Sequence, residues 1–175
     1  ARKMILAAGY EQDTRLRFIL PHVGRYAHKD ETIKGKPVKG FGVASQSYSG
    51  NVHYRGSYSV THCRQDIEEY VAEIESGKHP ARYAFFLDKD EQMRRTIVMN
   101  VRHQAFNRTS FKKKYGLYPE EAYPDEYAVL LEDKYIEIKG DYIRLTEKGF
   151  RYSDSLAKLF FSPRVLKMQE EYVYV

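Results

Sequence analysis

Near the end of the chain, Tyr135-Ile136-Glu137-Ile138-Lys139, then Gly140-Asp141, then Tyr142-Ile143-Arg144-Leu145 leave few ways to fold. Two alternating runs joined by Gly-Asp predict a β-hairpin, because side chains in a strand alternate faces and a tight turn wants residues tolerant of positive φ. Ile136 and Ile138 are expected to face Ile143 and Leu145, with Glu137 and Arg144 outward. Thr146 then caps a last helix that tolerates Gly149 early and turns Leu156, Leu159 and Phe160 inward. Upstream, Asp88 caps a helix over 89–104 whose stripe is Met93, Ile97 and Val101, with Val98 filling in. A short helix follows over 109–115, ended by Gly116. Another spans 119–133, bent or restarted at Pro124. Helices, a two-stranded wing and a closing helix predict a winged-helix-like domain over 88–175.

The first half is less regular. Residues 2–8 read as the last turns of a helix closed by Gly9. Residues 10–20 read as a strand ended by Pro21, and 22–37, rich in Gly, Pro and charge, as an exposed loop. Residues 39–48, Lys-Gly-Phe-Gly-Val-Ala-Ser-Gln-Ser-Tyr, set Phe41, Val43 and Ala44 among Gly40 and Gly42 and then turn polar. This predicts a buried strand opening into a polar end, the place where α/β folds present ligand sites. A glycine-bearing strand packed tightly without a ligand fits the same residues. Ser45 stands at the third glycine of G-x-G-x-x-G, and Ser49-Gly50-Asn51 make a turn where a helix should begin, so a dinucleotide fingerprint is excluded. Residues 52–58 read as a short hairpin arm interrupted by Gly56. A helix follows, with Ile67, Tyr70, Val71 and Ile74 on one face, Asp66, Glu68, Glu69 and Glu73 on the other, and Gly77 at its end.

Composition narrows the class. Hydrophobic residues are 42% and charged residues 30% of 175, the balance of a soluble globular chain. No apolar run approaches the roughly 20 residues of a membrane span. One cysteine, Cys63, rules out a disulfide framework and makes a cytoplasmic setting the default. The six histidines show no metal-ligand spacing. The chain starts Ala1-Arg2-Lys3-Met4 inside a helix, which predicts a piece of a longer protein.

Taken in order, these segments resemble the carboxyl-terminal part of radical SAM proteins of the oxygen-independent coproporphyrinogen III oxidase family. Ala8-Gly9-Tyr10-Glu11-Gln12 resembles the family's Gly-Tyr strand, and Phe18-Ile19-Leu20-Pro21 its Phe-Ala-x-Pro turn. The run from Gly40 to Ser47 resembles its Gly-x-Gly-x-x-(Ala/Ser)-x-Ser strand. Glu69-Tyr70 through Gly77-Lys78-His79-Pro80 is similar to its Tyr helix and Gly-x-x-Pro exit, and Arg94-Arg95 with Ile97-Val98-Met99 to its next helix. Leu145-Thr146-Glu147-Lys148-Gly149 is similar to the Leu-Thr-x-x-Gly of its terminal domain.

The resemblance implies an α/β (α+β) chain. The last strands of a partial βα barrel would occupy 1–60, a connecting helix and linker 61–87, and the winged-helix-like domain 88–175. It implies S-adenosylmethionine and a [4Fe-4S] cluster held by a CxxxCxxC motif. With one cysteine, this chain lacks those ligands, so the rest of a barrel is the implied partner. Family positions near S-adenosylmethionine match Ile19, Gly40, Gly42, Ser45 and Gln46. Ile19 replaces an alanine and Gln46 an aliphatic residue, so the pocket is expected to be reshaped. The family's heme-chaperone branch carries His-Asn-x-x-Tyr-Trp. This chain reads Arg25-Tyr26-Ala27-His28-Lys29-Asp30 there and has no Trp.

Three functions compete. The first is the distal part of a porphyrin or heme enzyme, inactive without its cluster-binding portion. The second is a nucleic-acid-binding winged helix, favoured by the +5 charge and Lys112-Lys113-Lys114 but opposed by the acidic 119–133 helix, which phosphates would repel. The third is a non-catalytic heme or porphyrin binder using Tyr-rich walls and His103.

Overall fold

A computed structural model describes residues 1–14, 16–23, 31–32, 35–57, 59, 61–101, 103 and 105–171. Much of the loop expected over 22–37, namely residues 24–30 and 33–34 with His28 among them, lies outside that set. In chain order the elements are α1 (Arg2–Ala7), β1 (Glu11–Gln12), β2 (Phe18–Ile19), β3 (Gln46–Tyr48), β4 (Val52–Arg55) and α2 (Cys63–Glu75). Next come β5 (Tyr83–Phe86), α3 (Lys89–Asn100), β6 (Ala105–Asn107), α4 (Arg108–Tyr115), α5 (Pro119–Ala122) and α6 (Pro124–Glu132). The chain closes with β7 (Ile136–Lys139), β8 (Tyr142–Leu145), α7 (Glu147–Lys158) and α8 (Pro163–Glu170).

The C-terminal half follows its local signals closely. The hairpin register pairs Ile136 with Leu145 and Ile138 with Ile143, and β6 adds to the free side of β8. Asp88 caps α3 by accepting from the Glu91 amide at 2.9 Å, and Thr146 caps α7 by accepting from the Gly149 amide at 3.0 Å. Gly116 ends α4 at φ 96°, and Pro124 restarts the helix begun at Pro119. One apolar cluster, running from Ile97 to Phe160, joins α3, α4, α6, the wing and α7. Leu156 and Phe160 are inside it, whereas Leu159 is exposed.

The N-terminal half departs from its expectations in three places. The predicted strand over 10–20 is a two-rung hairpin, Glu11 opposite Ile19 and Gln12 opposite Phe18, because the chain turns back between Asp13 and Arg17. The predicted strand over 39–48 begins only at Gln46. Gly42 and Ala44 take positive φ, 93° and 59°, which turns the backbone out of strand geometry and leaves Phe41 78% exposed. The helix α2 forms with the predicted period but is turned so that Asp66, with Tyr70 and Glu73 half-buried along the same side, faces inward. Asp66 is its buried residue, while Ile67, Val71 and Ile74 face outward.

The α+β class holds, with every described strand pairing antiparallel: β1–β2, β3–β4–β5 and β6–β8–β7. The crevice argument drawn from parallel strand ends therefore does not apply to 39–48. Residues 83–86, expected within a linker, form the edge strand β5.

Gly149 is the most tightly enclosed glycine of the C-terminal half. A Cβ there would press into the Tyr135 carbonyl oxygen and stand 3.0 Å from Leu145 Cδ2. Gly-to-Ala exchange inside a helix normally stabilises by about 1 kcal/mol. Here Gly149→Ala is expected to destabilise by about 3 kcal/mol through overpacking. Urea denaturation checks the sign.

Candidate functional site

The antiparallel sheet β3–β4–β5 separates two cavities, and strand alternation decides which side chains meet each. Ser45, Ser47 and Tyr54 line a cleft of about 240 Å³ with Gly40, Gly42 and Tyr70. Gln46, Tyr48, His53, Arg55 and Phe85 line the opposite cavity, of about 830 Å³. Helix α3 and the segment from Phe160 through α8 complete that larger cavity.

The five residues expected near a cofactor do not form one site. Gly40, Gly42 and Ser45 share the small cleft, Gln46 lies across the sheet, and Ile19 lines neither cavity. Gln46 is separated because it is one residue out of phase with Ser45 and Ser47. The glycines serve the chain's own packing first. The Gly42 amide donates to the Tyr70 hydroxyl and the Gly40 amide to Ser47 Oγ, each at 3.0 Å. A Cβ at Gly40 would stand 2.7 Å from the Gln46 carbonyl oxygen, whereas one at Gly42 would meet nothing.

The larger cavity holds charge that sequence reasoning missed. Arg95 lies over the Tyr48 ring with its guanidinium carbon 3.7 Å from the centroid, and Arg55 lies 5.1 Å over Tyr83. Burial pushes Arg95 down from its ordinary pKa, with Tyr48 and Tyr115 opposing the shift. His53 is also held below its usual range, first by burial and then by Arg95 and Arg55. Arg94 differs, because it pairs with Asp90 at 2.7 Å and with Glu126 at 3.9 Å and lies 4.6 Å over Tyr123. Burial raises the Asp90 pKa, but hydrogen bonds from Arg94 and Tyr123 outweigh it and leave the carboxyl below its ordinary value. Among the described residues Glu91 is the one acid lining the cavity, and it accepts from Ser162 Oγ at 2.5 Å, which ties α3 to the cap of α8. A signal was present: His53 and Arg55 are two apart in a strand and must share a face.

Other candidates are accounted for more simply. Cys63 is exposed at the start of α2. His103 bridges Thr14 and borders a void of about 10 Å³, far too small for a macrocycle. Lys112 lies 4.0 Å over Tyr118, and Lys114 lies 5.0 Å over Tyr115. Among the described residues no group of three His, Cys, Asp or Glu could hold a metal, and no helix is long and apolar enough to cross a membrane.

Comparison with known proteins agrees with the family resemblance. Residues 87–152 match the family model described as the HemN C-terminal domain. The fold is similar to that of coproporphyrinogen III oxidase (HemN) from Escherichia coli, a radical SAM enzyme, with a TM-score of 0.65 at 14% identity. The match covers 90% of this chain and 38% of that one. Among curated protein sequences nothing matches.

The depressed His53 has a pH consequence. Below about pH 6.5 the unfolded chain binds a proton at this imidazole while the folded chain resists it, so stability is lost as pH falls through that range. Lowering the pH from 7.5 to 5.5 in thermal melts is expected to lower the Tm of the wild type more than that of His53→Gln. Equal drops would show that His53 carries no such linkage.

Proposed function

We propose that this chain, whose residues 87–152 match the HemN C-terminal domain model, is the distal part of a radical SAM oxidoreductase of porphyrin or heme biosynthesis. The proposed reaction is oxidative decarboxylation of propionate side chains, as in oxygen-independent coproporphyrinogen III oxidases. The observation that carries this reading is a fold match running through 90% of this chain and only 38% of the relative. The chain is thereby aligned with one part of a larger enzyme.

A [4Fe-4S] cluster needs three thiolates from its CxxxCxxC motif, and the chain has Cys63 alone, so the cluster ligands belong to another portion of the protein. With S-adenosylmethionine, that cluster supplies the radical that starts the chemistry. The fit to S-adenosylmethionine is partial. Gly40, Gly42 and Ser45 can form a wall against it, the open space at Gly42 leaving room for close approach. Ile19 and Gln46 stand elsewhere, and a cleft of about 240 Å³ is too small to enclose the cofactor without further walls. The chain's part in the reaction is accordingly to close one side of the site and to exclude water from it.

The surface of α2 supports the same reading. Ile67, Val71 and Ile74 are 48%, 45% and 50% exposed on one face, and Ile74 borders the same cleft as the exposed Phe41. A contiguous apolar face of this kind marks an interaction surface. Its proposed occupant is the cluster-bearing barrel portion, a single polypeptide with this chain in the family.

The test uses the longer reading frame, expressed without oxygen and reconstituted with iron and sulfide. The expected result is a cluster absorbance band and release of 5′-deoxyadenosine from S-adenosylmethionine, with neither seen for the 175-residue chain alone. A longer frame that lacks CxxxCxxC, or that binds a cluster without cleaving S-adenosylmethionine, overturns the proposal.

A further inference from the structure

The cavity of about 830 Å³ falls within the range of sites that enclose small organic ligands, roughly 300 to 1,000 Å³. Its walls divide by chemistry. Leu87, Val98, Phe160, Phe161, Val165 and Met168 make an apolar body, and Arg55, Arg95 and His53 sit on or beside the sheet. Both guanidiniums act electrostatically on His53, which places them around one imidazole.

Among the described residues neither arginine is neutralised. Each lies over an aromatic ring, Arg95 over Tyr48 and Arg55 over Tyr83. A ring satisfies a guanidinium by cation–π attraction and accepts none of its N–H donors in a carboxylate-like pair. Among the described residues, no carboxylate pairs with either side chain, and neither donates a hydrogen bond to a protein acceptor. The neighbouring Arg94 shows the alternative, since it is satisfied by Asp90 and Glu126. A half-buried arginine without an acid is costly to desolvate, and an anion entering the cavity would repay that cost. Glu91, on the wall next to Ser162, would repel a second anionic group, so the arrangement suits a ligand with a single charged head.

We infer that this cavity binds an amphipathic organic monoanion, whose carboxylate lies on the edges of Arg55 and Arg95 and whose apolar body lies against Val165 and Met168. The inference does not rest on the radical SAM reading. It assigns a role to Arg55 and Arg95, on the opposite side of the sheet from the Gly40 cleft.

The test is fluorescence titration of the 175-residue chain with 1-pyrenebutyrate and with 1-pyrenebutanol, which share a body and differ in the charged head. The carboxylate is expected to bind at least about tenfold more tightly than the alcohol, the scale of one charge-assisted hydrogen bond. Arg55→Gln and Arg95→Gln should each weaken pyrenebutyrate by about tenfold and leave pyrenebutanol unchanged, with Arg95→Lys retaining part of the preference. Thermal melts accompany each variant, and if Arg95→Gln unfolds, Arg55→Gln decides. Equal affinity for acid and alcohol, or pyrenebutyrate binding unaffected by the arginine changes in folded protein, overturns the inference. Neither probe needs a cluster or S-adenosylmethionine, so either result leaves the test of the enzyme reading independent.

Discussion

Helix α3 (Lys89–Asn100) has two faces with different duties, and most of the structure depends on how firmly the first is held. Ile97 is 1% exposed and Val101 follows it into the core cluster, so the helix cannot rotate without opening a close-packed interior. Polar contacts fix the same orientation. The Tyr115 hydroxyl reaches Gln92 O at 3.1 Å and Thr96 Oγ1 at 2.7 Å, and Tyr123 donates to Asp90 at 2.7 Å. With the core face pinned, Glu91 and Arg95 are left on the side that lines the larger cavity. The charge of the large cavity is thus inherited from packing on the other side of the helix.

Legibility in the sequence followed the range of the interactions. The wing register, the Asp88 and Thr146 caps and the Gly116 stop are set by residues within one turn or one hairpin of each other, and they were readable. Gly149 was read as tolerated, but its requirement comes from Tyr135, fourteen positions away by subtraction of their numbers and brought close by the fold. Strand β6 has three residues, too few to show a period. The stretch 39–48 alternated apolar residues like a strand, but positive φ at Gly42 and Ala44 made most of it a loop.

Helix α2 teaches a different lesson. Its period was legible and its orientation was not, because hydrophobic spacing says which residues share a face and not what covers them. Inside this chain the buried side is centred on Asp66, which accepts from Ser57 Oγ at 2.9 Å and from the Ser59 amide at 2.5 Å, with Tyr70 half-buried one turn on. Before Asp88, Tyr48 and Leu87 are the buried apolar side chains among the described residues. A first half with so little core of its own fits the proposal that the remaining core lies in a cluster-bearing portion, with the sheet β3–β4–β5 as a partition between that portion and the arginine-lined cavity.

The most direct measurement is hydrogen–deuterium exchange over residues 63–75, compared between this chain and the longer protein. If the apolar face of α2 is covered by the rest of a radical SAM enzyme, amides there should exchange at least about tenfold more slowly in the longer protein, as buried helices do relative to exposed ones. Identical exchange in the two would contradict the account, leaving that face open to solvent and the chain without the larger enclosure proposed for it.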